Sequence, residues 1–182
     1  MKGIFEEPQG LNYYPSFITE EEEKDLIRFF DSLSYENVII HGQAAKRTVK
    51  HFGYQYDYNK VSVEPGEPFP NELLGLKDRC ADLAKIPSSQ IAQCIISNYP
   101  TKSTIGWHTD KFMFGPQIIG VSFNSPCRMQ FQRTVMHERY VYELVLAPRS
   151  LYIMSGESRY KWQHGIPATP GQRYSITFRT LK

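Results

Sequence analysis

The sequence predicts an α+β protein in which two helices precede a C-terminal β-sandwich or barrel of jelly-roll type. Two segments before residue 90 carry apolar residues at helical spacing, whereas from Gln90 onward apolar residues recur at every second position. Turn signals rich in Pro and Gly separate several of the later segments. A chain of 182 residues suits one domain with a sizeable core.

The two helices have different boundary signals. The first begins at Thr19, because Thr19 and Glu22 form a capping box. Its apolar stripe consists of Leu26, Phe29, Phe30 and Leu33. The second spans about 71–85 and ends before Ile86-Pro87. Both helices are expected to pack on one sheet.

Alternation of apolar and polar residues predicts about seven strands, with a further strand potential at Leu11–Tyr14. The six C-terminal strands are predicted at 91–99, 118–124, 128–132, 140–146, 150–154 and 173–180. An earlier strand, at 49–58, places four aromatic residues on one face, namely Phe52, Tyr54, Tyr56 and Tyr58. That face is either part of the core or an exposed platform for stacking bases.

Composition restricts the possible partners and compartments. The net charge of +2 is too small for a whole-molecule nucleic-acid signature, so contact with a polyanion is expected to be local, at the basic run 46–51. The alternative for that run is a solvated loop. Cys80, Cys94 and Cys127 are expected to be reduced packing thiols. We expect a soluble, monomeric protein of the cytoplasm or nucleus that does not bind membranes.

Three side chains suggest a metal site. His108 and Asp110 stand two residues apart, so both point to one face of an extended segment. His164 follows in the run Trp162-Gln163-His164-Gly165-Ile166. Each histidine alone is more often a polar surface or core group. Together with Asp110 they form the set of two histidines and one carboxylate by which non-haem Fe(II) oxygenases hold one face of the metal.

The last predicted strand adds an anion-binding candidate. Its alternation places Arg173, Ser175, Thr177 and Arg179 on one face. The planar guanidinium of Arg173 suits bidentate capture of a dicarboxylic acid, and the neighbouring hydroxyls would complete a pocket. The alternative is a half-buried strand with a solvated polar face.

These motifs resemble the catalytic core of the AlkB family of Fe(II)/2-oxoglutarate-dependent dioxygenases. The resemblance covers Tyr99, the His108-Thr109-Asp110 motif, the run from Gly156 to Ile166 and the run from Arg173 to Arg179. The segment Lys46-Arg47-Thr48-Val49-Lys50-His51-Phe52-Gly53-Tyr54 also resembles the nucleotide-recognition lid of that family. The family fold is the double-stranded β-helix, which implies one dioxygenase domain over 1–182, with helices and lid in 1–90 and the jelly-roll core in 91–182.

The resemblance also implies roles for individual residues. His108, Asp110 and His164 would bind Fe(II), and Arg173 would pair with the distal carboxylate of 2-oxoglutarate. The further cosubstrate-binding residues would be Ser97, where the family usually has Asn, and Tyr99, Ser175, Thr177 and Arg179. The substrate-binding residues would be Arg47, His51, Phe52, Gly53, Tyr54, Tyr56, Trp107 and Phe112.

The implied reaction is oxidative. O₂ and 2-oxoglutarate give succinate and CO₂ while a substrate C–H bond is hydroxylated, and an N-alkyl group on a base is then lost as an aldehyde. The leading interpretation is removal of N-alkyl groups from bases of single-stranded DNA or RNA, including tRNA, in repair or RNA modification. Three alternatives stay open: hydroxylation of a modified tRNA base, an AlkB-like oxygenase acting on protein or lipid, and a binding protein without activity.

Overall fold

Two β-sheets enclose a cleft in this computed structural model, which describes residues 2–40, 42–57 and 62–181. The larger sheet has eight strands and the smaller one has five. In chain order the strands are β1 (Ile4–Phe5), β2 (Leu11–Tyr14), β3 (Glu36–Ile40), β4 (Gln43–Asp57), β5 (Ser62–Pro65), β6 (Ile91–Tyr99), β7 (Ile105–His108), β8 (Phe114–Asn124), β9 (Cys127–Val135), β10 (Glu138–Leu146), β11 (Leu151–Met154), β12 (Gln163–Ile166) and β13 (Arg173–Leu181). This arrangement confirms the expected double-stranded β-helix of jelly-roll type.

The sheet order places β13 and β6 in the interior of the larger sheet, and places β12 beside the edge strand β7 at one end of the smaller sheet. The larger sheet runs β2-β11-β8-β13-β6-β4-β3, with β5 paired to β4, and the smaller runs β1-β10-β9-β12-β7. Strand β13 pairs antiparallel with both β6 and β8. Central strands have both edges hydrogen-bonded, so the side chains on their faces are held in fixed positions.

Two helices cover the larger sheet. Helix α1 (Glu20–Asp31) begins at the predicted capping box, in which Thr19 and Glu22 exchange hydrogen bonds of 2.9 and 3.1 Å. Helix α2 (Asn71–Ala84) ends one residue earlier than predicted, with Lys85 in a left-handed conformation. A third helix, α3 (Gly156–Tyr160), was not predicted, because five residues are too few for a periodic pattern. Among the described residues, no helix has the length and apolar character needed to cross a membrane.

The core consists of two clusters. One lies between the helices and the larger sheet and includes Phe30, Leu73, Ile176 and Phe178. The other lies at the smaller sheet and includes Tyr99, Phe131 and Trp162. The three cysteines are free and buried, which agrees with their predicted role as reduced packing residues.

The aromatic strand differs from its prediction. Phe52 is 4% exposed and belongs to the helix-side core, whereas Tyr54 is 40% exposed. Gly53 separates them with φ +77°, and a Cβ there would lie 2.1 Å from the carbonyl oxygen of Ala92. Phe52 therefore takes the core alternative. Tyr58 and the side chain of Tyr56 lie outside the described residues.

Candidate active site

A cleft with a volume of about 700 Å³ opens between the two sheets. It brings together eleven of the site residues predicted from the sequence, namely Arg47, His51, Ser97, Tyr99, His108, Asp110, His164, Arg173, Ser175, Thr177 and Arg179. Within the described residues, four Lys or Arg side chains and two Asp or Glu side chains line it. The cleft therefore favours anionic ligands.

The two candidate histidine ligands face each other across paired strands. His108 ends β7, His164 lies in β12, and the two are direct partners in the ladder. Their ring centroids are 4.3 Å apart. The Nδ1 atom of His108 lies 2.9 Å from the carbonyl oxygen of Gly106. When Nδ1 carries the proton and donates it to this oxygen, the lone pair of Nε2 is free to bind a metal. The pairing of β7 with β12 thus supplies two adjacent imidazoles.

Asp110 joins the histidines from the loop that follows β7. Its Oδ2 atom lies 3.6 Å from Nε2 of His164, and its Oδ1 atom accepts a hydrogen bond from Arg179. Burial raises the pKa of Asp110, but Arg179, followed by His164, His108 and Arg159, together outweigh burial and lower this pKa to about 2. The carboxylate is therefore ionised at neutral pH.

His164 has the complementary protonation state. Burial, followed by the neighbouring His108, lowers the pKa of His164 to about 3, so its imidazole is neutral at physiological pH. A neutral imidazole and an ionised carboxylate are the forms that bind a divalent cation. Within the described part of the chain, no three His, Cys, Asp or Glu side chains are already arranged around one metal position.

A buried arginine holds the Asp110 loop. Arg159, in α3, is 2% exposed and donates hydrogen bonds to the carbonyl oxygens of Asp110 at 3.1 Å, Lys111 at 2.8 Å and Phe114 at 3.4 Å. One guanidinium thus fixes the backbone on which the candidate carboxylate ligand stands. Hydrogen bonds from a charged donor are stronger than neutral ones, which makes this an effective clamp.

The anion-binding candidate lies deeper in the cleft. Arg173 is 1% exposed, donates from Nη2 to Oγ of Ser122 at 2.9 Å, and places its guanidinium carbon 4.9 Å from the Tyr99 ring centre. The hydroxyl of Ser175 lies 3.4 Å from that of Tyr99. Among the described residues, Nε and Nη1 of Arg173 have no hydrogen-bond partner. A buried guanidinium with two unpaired donors fits a carboxylate.

These residues fit the two groups that the resemblance implies. The donor set His108, Asp110 and His164 matches Fe(II), and the unpaired donors of Arg173 match one carboxylate of 2-oxoglutarate. Arg179 bonds Asp110 and donates to Oε1 of Gln93 at 3.0 Å, so it belongs to the end of the cleft that contains Asp110. The cleft therefore has one end whose donor set suits a cation and another end whose unpaired guanidinium donors suit an anion.

The residues predicted to bind substrate are more dispersed. Arg47 and His51 lie in the cleft wall, whereas Phe52 is buried in the core. Trp107 is 39% exposed and Phe112 is 72% exposed, so both stand at the surface on either side of the His108–Asp110 motif. Tyr54 is exposed, and Gly53 serves the backbone turn described above.

Three further residues of the site were not predicted. Gln93 accepts a hydrogen bond from Arg179, and Ser122 accepts one from Arg173. Arg159 donates a hydrogen bond to the backbone of the loop that carries Asp110. The sequence of β6 did contain a signal for Gln93. Gln93, Ser97 and Tyr99 are separated by even numbers of residues, so strand alternation places them on one face. Arg159 and Ser122 gave no comparable signal, since their roles depend on tertiary contacts.

The chain is similar in sequence to known proteins. The chain is 32% identical over 170 residues to the tRNA (carboxymethyluridine(34)-5-O)-methyltransferase ALKBH8 of Mus musculus, with 87% of this chain and 24% of that protein covered. It is 24% identical over 182 residues to the DNA N6-methyl adenine demethylase of Caenorhabditis elegans, with 95% and 60% covered. The chain thus spans about a quarter of the mouse protein.

The solved structure of OsALKBH1 superposes with a TM-score of 0.70 at 15% identity, over 94% of this chain and 98% of that one. This likeness concerns the fold. The model of the 2OG-Fe(II) oxygenase superfamily matches residues 10–179. This range includes all the residues that line the cleft. The chain therefore belongs to the 2OG-Fe(II) oxygenase superfamily, as an AlkB-like enzyme.

Proposed function

We propose that this chain is an Fe(II)/2-oxoglutarate-dependent dioxygenase that oxidises a substituent on a nucleic-acid base, with a modified base of tRNA as the preferred substrate. The observation that supports the reaction type is Arg173, a buried guanidinium with two unpaired donors beside the His108, Asp110 and His164 cluster. Membership of the superfamily implies Fe(II) and 2-oxoglutarate. When bound, this pair supplies the oxidation of an unactivated C–H bond by O₂.

The protein's own residues bind and orient the reactants. His108, Asp110 and His164 would hold Fe(II), and Arg173 would anchor the distal carboxylate of 2-oxoglutarate, assisted by Tyr99 and the hydroxyl of Ser175. Tyr99 and Ser175 are 3% and 6% exposed, so both side chains lie in a buried part of the cleft. A buried charge pair formed there is stronger than the same pair in water.

The tRNA proposal is supported by the mouse relative, whose name specifies a tRNA uridine. Phe112, which follows Lys111 after the ligand Asp110, agrees with it, because phenylalanine cannot accept a hydrogen bond from an exocyclic amine or offset a cationic methylated base. A second candidate, removal of N-alkyl groups from DNA or RNA bases, is supported by the demethylase of Caenorhabditis elegans. In either case the target base must leave its stack to reach the cleft.

Fe(II)-dependent release of succinate from 2-oxoglutarate tests the reaction type. The native protein should release succinate and His108→Ala should not, while His137→Asn, which changes an exposed histidine in the turn between β9 and β10, should behave as the native protein does. Equal release by the native protein and His108→Ala would refute the enzyme proposal.

The substrate class is tested by incubating the protein with bulk tRNA, methylated RNA and methylated single-stranded DNA, followed by mass analysis of the nucleosides. The preferred proposal predicts that one modified tRNA nucleoside gains a single oxygen. Loss of an alkyl group from a methylated base would instead support the second candidate. No change in any nucleoside would refute both.

A further inference from the structure

The side chain of Arg47 contacts residues of the predicted cosubstrate pocket, although Arg47 belongs to the segment that resembles the nucleotide-recognition lid. It lies on β4, next to the basic residues predicted to face phosphates, yet its Nη1 atom donates to Oγ of Ser97 at 3.4 Å. Its guanidinium carbon lies 6.0 Å from the ring centre of Tyr99. Ser97 and Tyr99 are each 3% exposed, so the side chain of Arg47 points inward. The neighbouring Lys46 is exposed.

Tyr99 therefore has two guanidinium groups beside its ring. Arg173 lies 4.9 Å from the ring centre and Arg47 lies 6.0 Å from it. Two like charges beside one buried ring repel each other, and an anion bound by both removes that cost. Burial raises the pKa of Tyr99, but the charges of Arg47 and Arg173, with the hydrogen bonds of Ser175 and Ser97, together lower it, which agrees with a positive local field.

Arg47 shares the wall of the cleft with Glu36, but these two side chains, both among the described residues, are not paired. Within the described part of the chain no carboxylate pairs with Arg47, and its hydrogen bond to Ser97 is long. Hydrogen bonds between guanidinium and carboxylate are shorter and stronger than one to a neutral hydroxyl. A carboxylate bound at Arg173 and Tyr99 would accordingly attract Arg47 away from Ser97.

We propose that Arg47 is a second arginine of the keto-acid pocket, which contacts the distal carboxylate of bound 2-oxoglutarate together with Arg173. This inference rests on the proposed function, because it requires 2-oxoglutarate to bind at Arg173. Since β4 pairs with β3 on one side and β6 on the other, cosubstrate binding then orders the β3–β4 hairpin at the rim of the cleft. A nucleic-acid phosphate is the less favoured ligand, because Arg47 points toward two buried residues.

Calorimetric titration of Mn(II)-loaded protein with 2-oxoglutarate, in the absence of nucleic acid, tests this proposal. Arg47→Ala should raise the dissociation constant about ten- to a hundred-fold, as expected for loss of a charged hydrogen bond. Arg47→Lys should give an intermediate value, because it keeps the charge but loses the planar fork. Arg128→Ala removes the same charge from an arginine whose side chain is 62% exposed and should leave the constant unchanged.

Hydrogen exchange provides the second measurement. Binding of 2-oxoglutarate should slow amide exchange in β3 and β4 of the native protein, and this protection should be lost in Arg47→Ala. An unchanged dissociation constant in Arg47→Ala overturns the proposal, and weaker nucleic-acid binding in the same variant would then assign Arg47 to the substrate. If the native protein does not bind 2-oxoglutarate, or Arg173→Ala binds it equally well, the proposed function fails instead.

Discussion

The two ends of the cleft differ in how their side chains are held. At the inner end, Arg173 and Ser175 stand on β13, a strand with hydrogen-bonded neighbours on both sides, and are at most 6% exposed. At the outer rim, Trp107 and Phe112 are 39% and 72% exposed, and Phe112 lies in a loop. The inner end is therefore preorganised for a small anion, whereas the rim can adapt to a larger partner.

This difference predicts separate kinetic consequences for the two ends. Substitutions at the inner end should change the requirement for 2-oxoglutarate or metal, whatever nucleic acid is present. Substitutions at the rim should change the affinity for nucleic acid and leave the cosubstrate requirement as it was. The predictions below, from the largest expected effect to the smallest, would support or contradict this separation.

Arg173→Ala should have the largest effect. Because it removes the buried charge that anchors the dicarboxylate, we expect the KM for 2-oxoglutarate to rise roughly a hundred-fold. The measurement is succinate release at increasing 2-oxoglutarate. Arg128→Ala, which removes an arginine whose side chain is 62% exposed, is the matched control and should keep the native KM. A native KM in Arg173→Ala would place the cosubstrate pocket elsewhere.

Arg159→Gln should weaken metal binding without changing the donor set. The amide can replace at most part of the three hydrogen bonds to the Asp110 loop, so the carboxylate is held less firmly. We expect the Mn(II) dissociation constant to rise about ten-fold, as for lost charged hydrogen bonds. Affinity for 2-oxoglutarate at saturating Mn(II) should stay native. A loss of both affinities together would indicate general unfolding and contradict a positioning role.

The sequence predicted the inner end well, because strand alternation is a local property. The expected face of Arg173, Ser175, Thr177 and Arg179 does line the cleft, and the opposite face contributes Ile176 and Phe178 to the helix-side core. The capping box at Thr19 was equally local and is present in the structure. Such features need only the residues within one element.

The features that the sequence did not predict depend on distant pairing. Strands β7 and β12 are four residues long, too short for a periodic signal. The family resemblance, and not strand alternation, implied that His108 and His164 come together, and the register of β7 with β12 accounts for their contact. The inward direction of Arg47 depends on where β4 meets β6. Phe52 was ambiguous because alternation fixes which residues share a face but not what covers that face.

Phe112→Ala tests the rim. Stacking of an exposed aromatic ring on a base would contribute about 1 kcal/mol, so we expect the dissociation constant for the nucleic-acid substrate to rise about five-fold. Succinate release without nucleic acid should be unchanged, because the ring is 72% exposed at the surface whereas Arg173 is 1% exposed. The measurement is a binding titration with labelled substrate, and Phe5→Ala, which truncates another exposed ring on β1, is the control. A changed KM for 2-oxoglutarate would contradict the separation between inner end and rim.

His51→Gln should have the smallest effect, visible only in the pH dependence of stability. Burial lowers the pKa of His51 from 6.5, Glu36 opposes this shift, and the charges of Arg179, Arg47 and Lys50 add to it. Since the unfolded chain then binds the proton more tightly than the folded one, the native protein loses stability as pH falls below about 6.5, toward the lower folded pKa. Glutamine has no such proton, so the variant should lose less stability over that range.

The measurement is Tm at several pH values between about 8 and 5, a range that includes the ordinary pKa of histidine. The difference between His51→Gln and the native protein should shift in favour of the variant as pH falls, and His137→Asn provides the comparison for loss of an exposed imidazole. A constant difference would mean that folding does not change the proton affinity of His51. That outcome would indicate that the side chain is in water, as at the rim. The predicted change of the Tm difference with pH would indicate that the side chain is buried, as at the inner end.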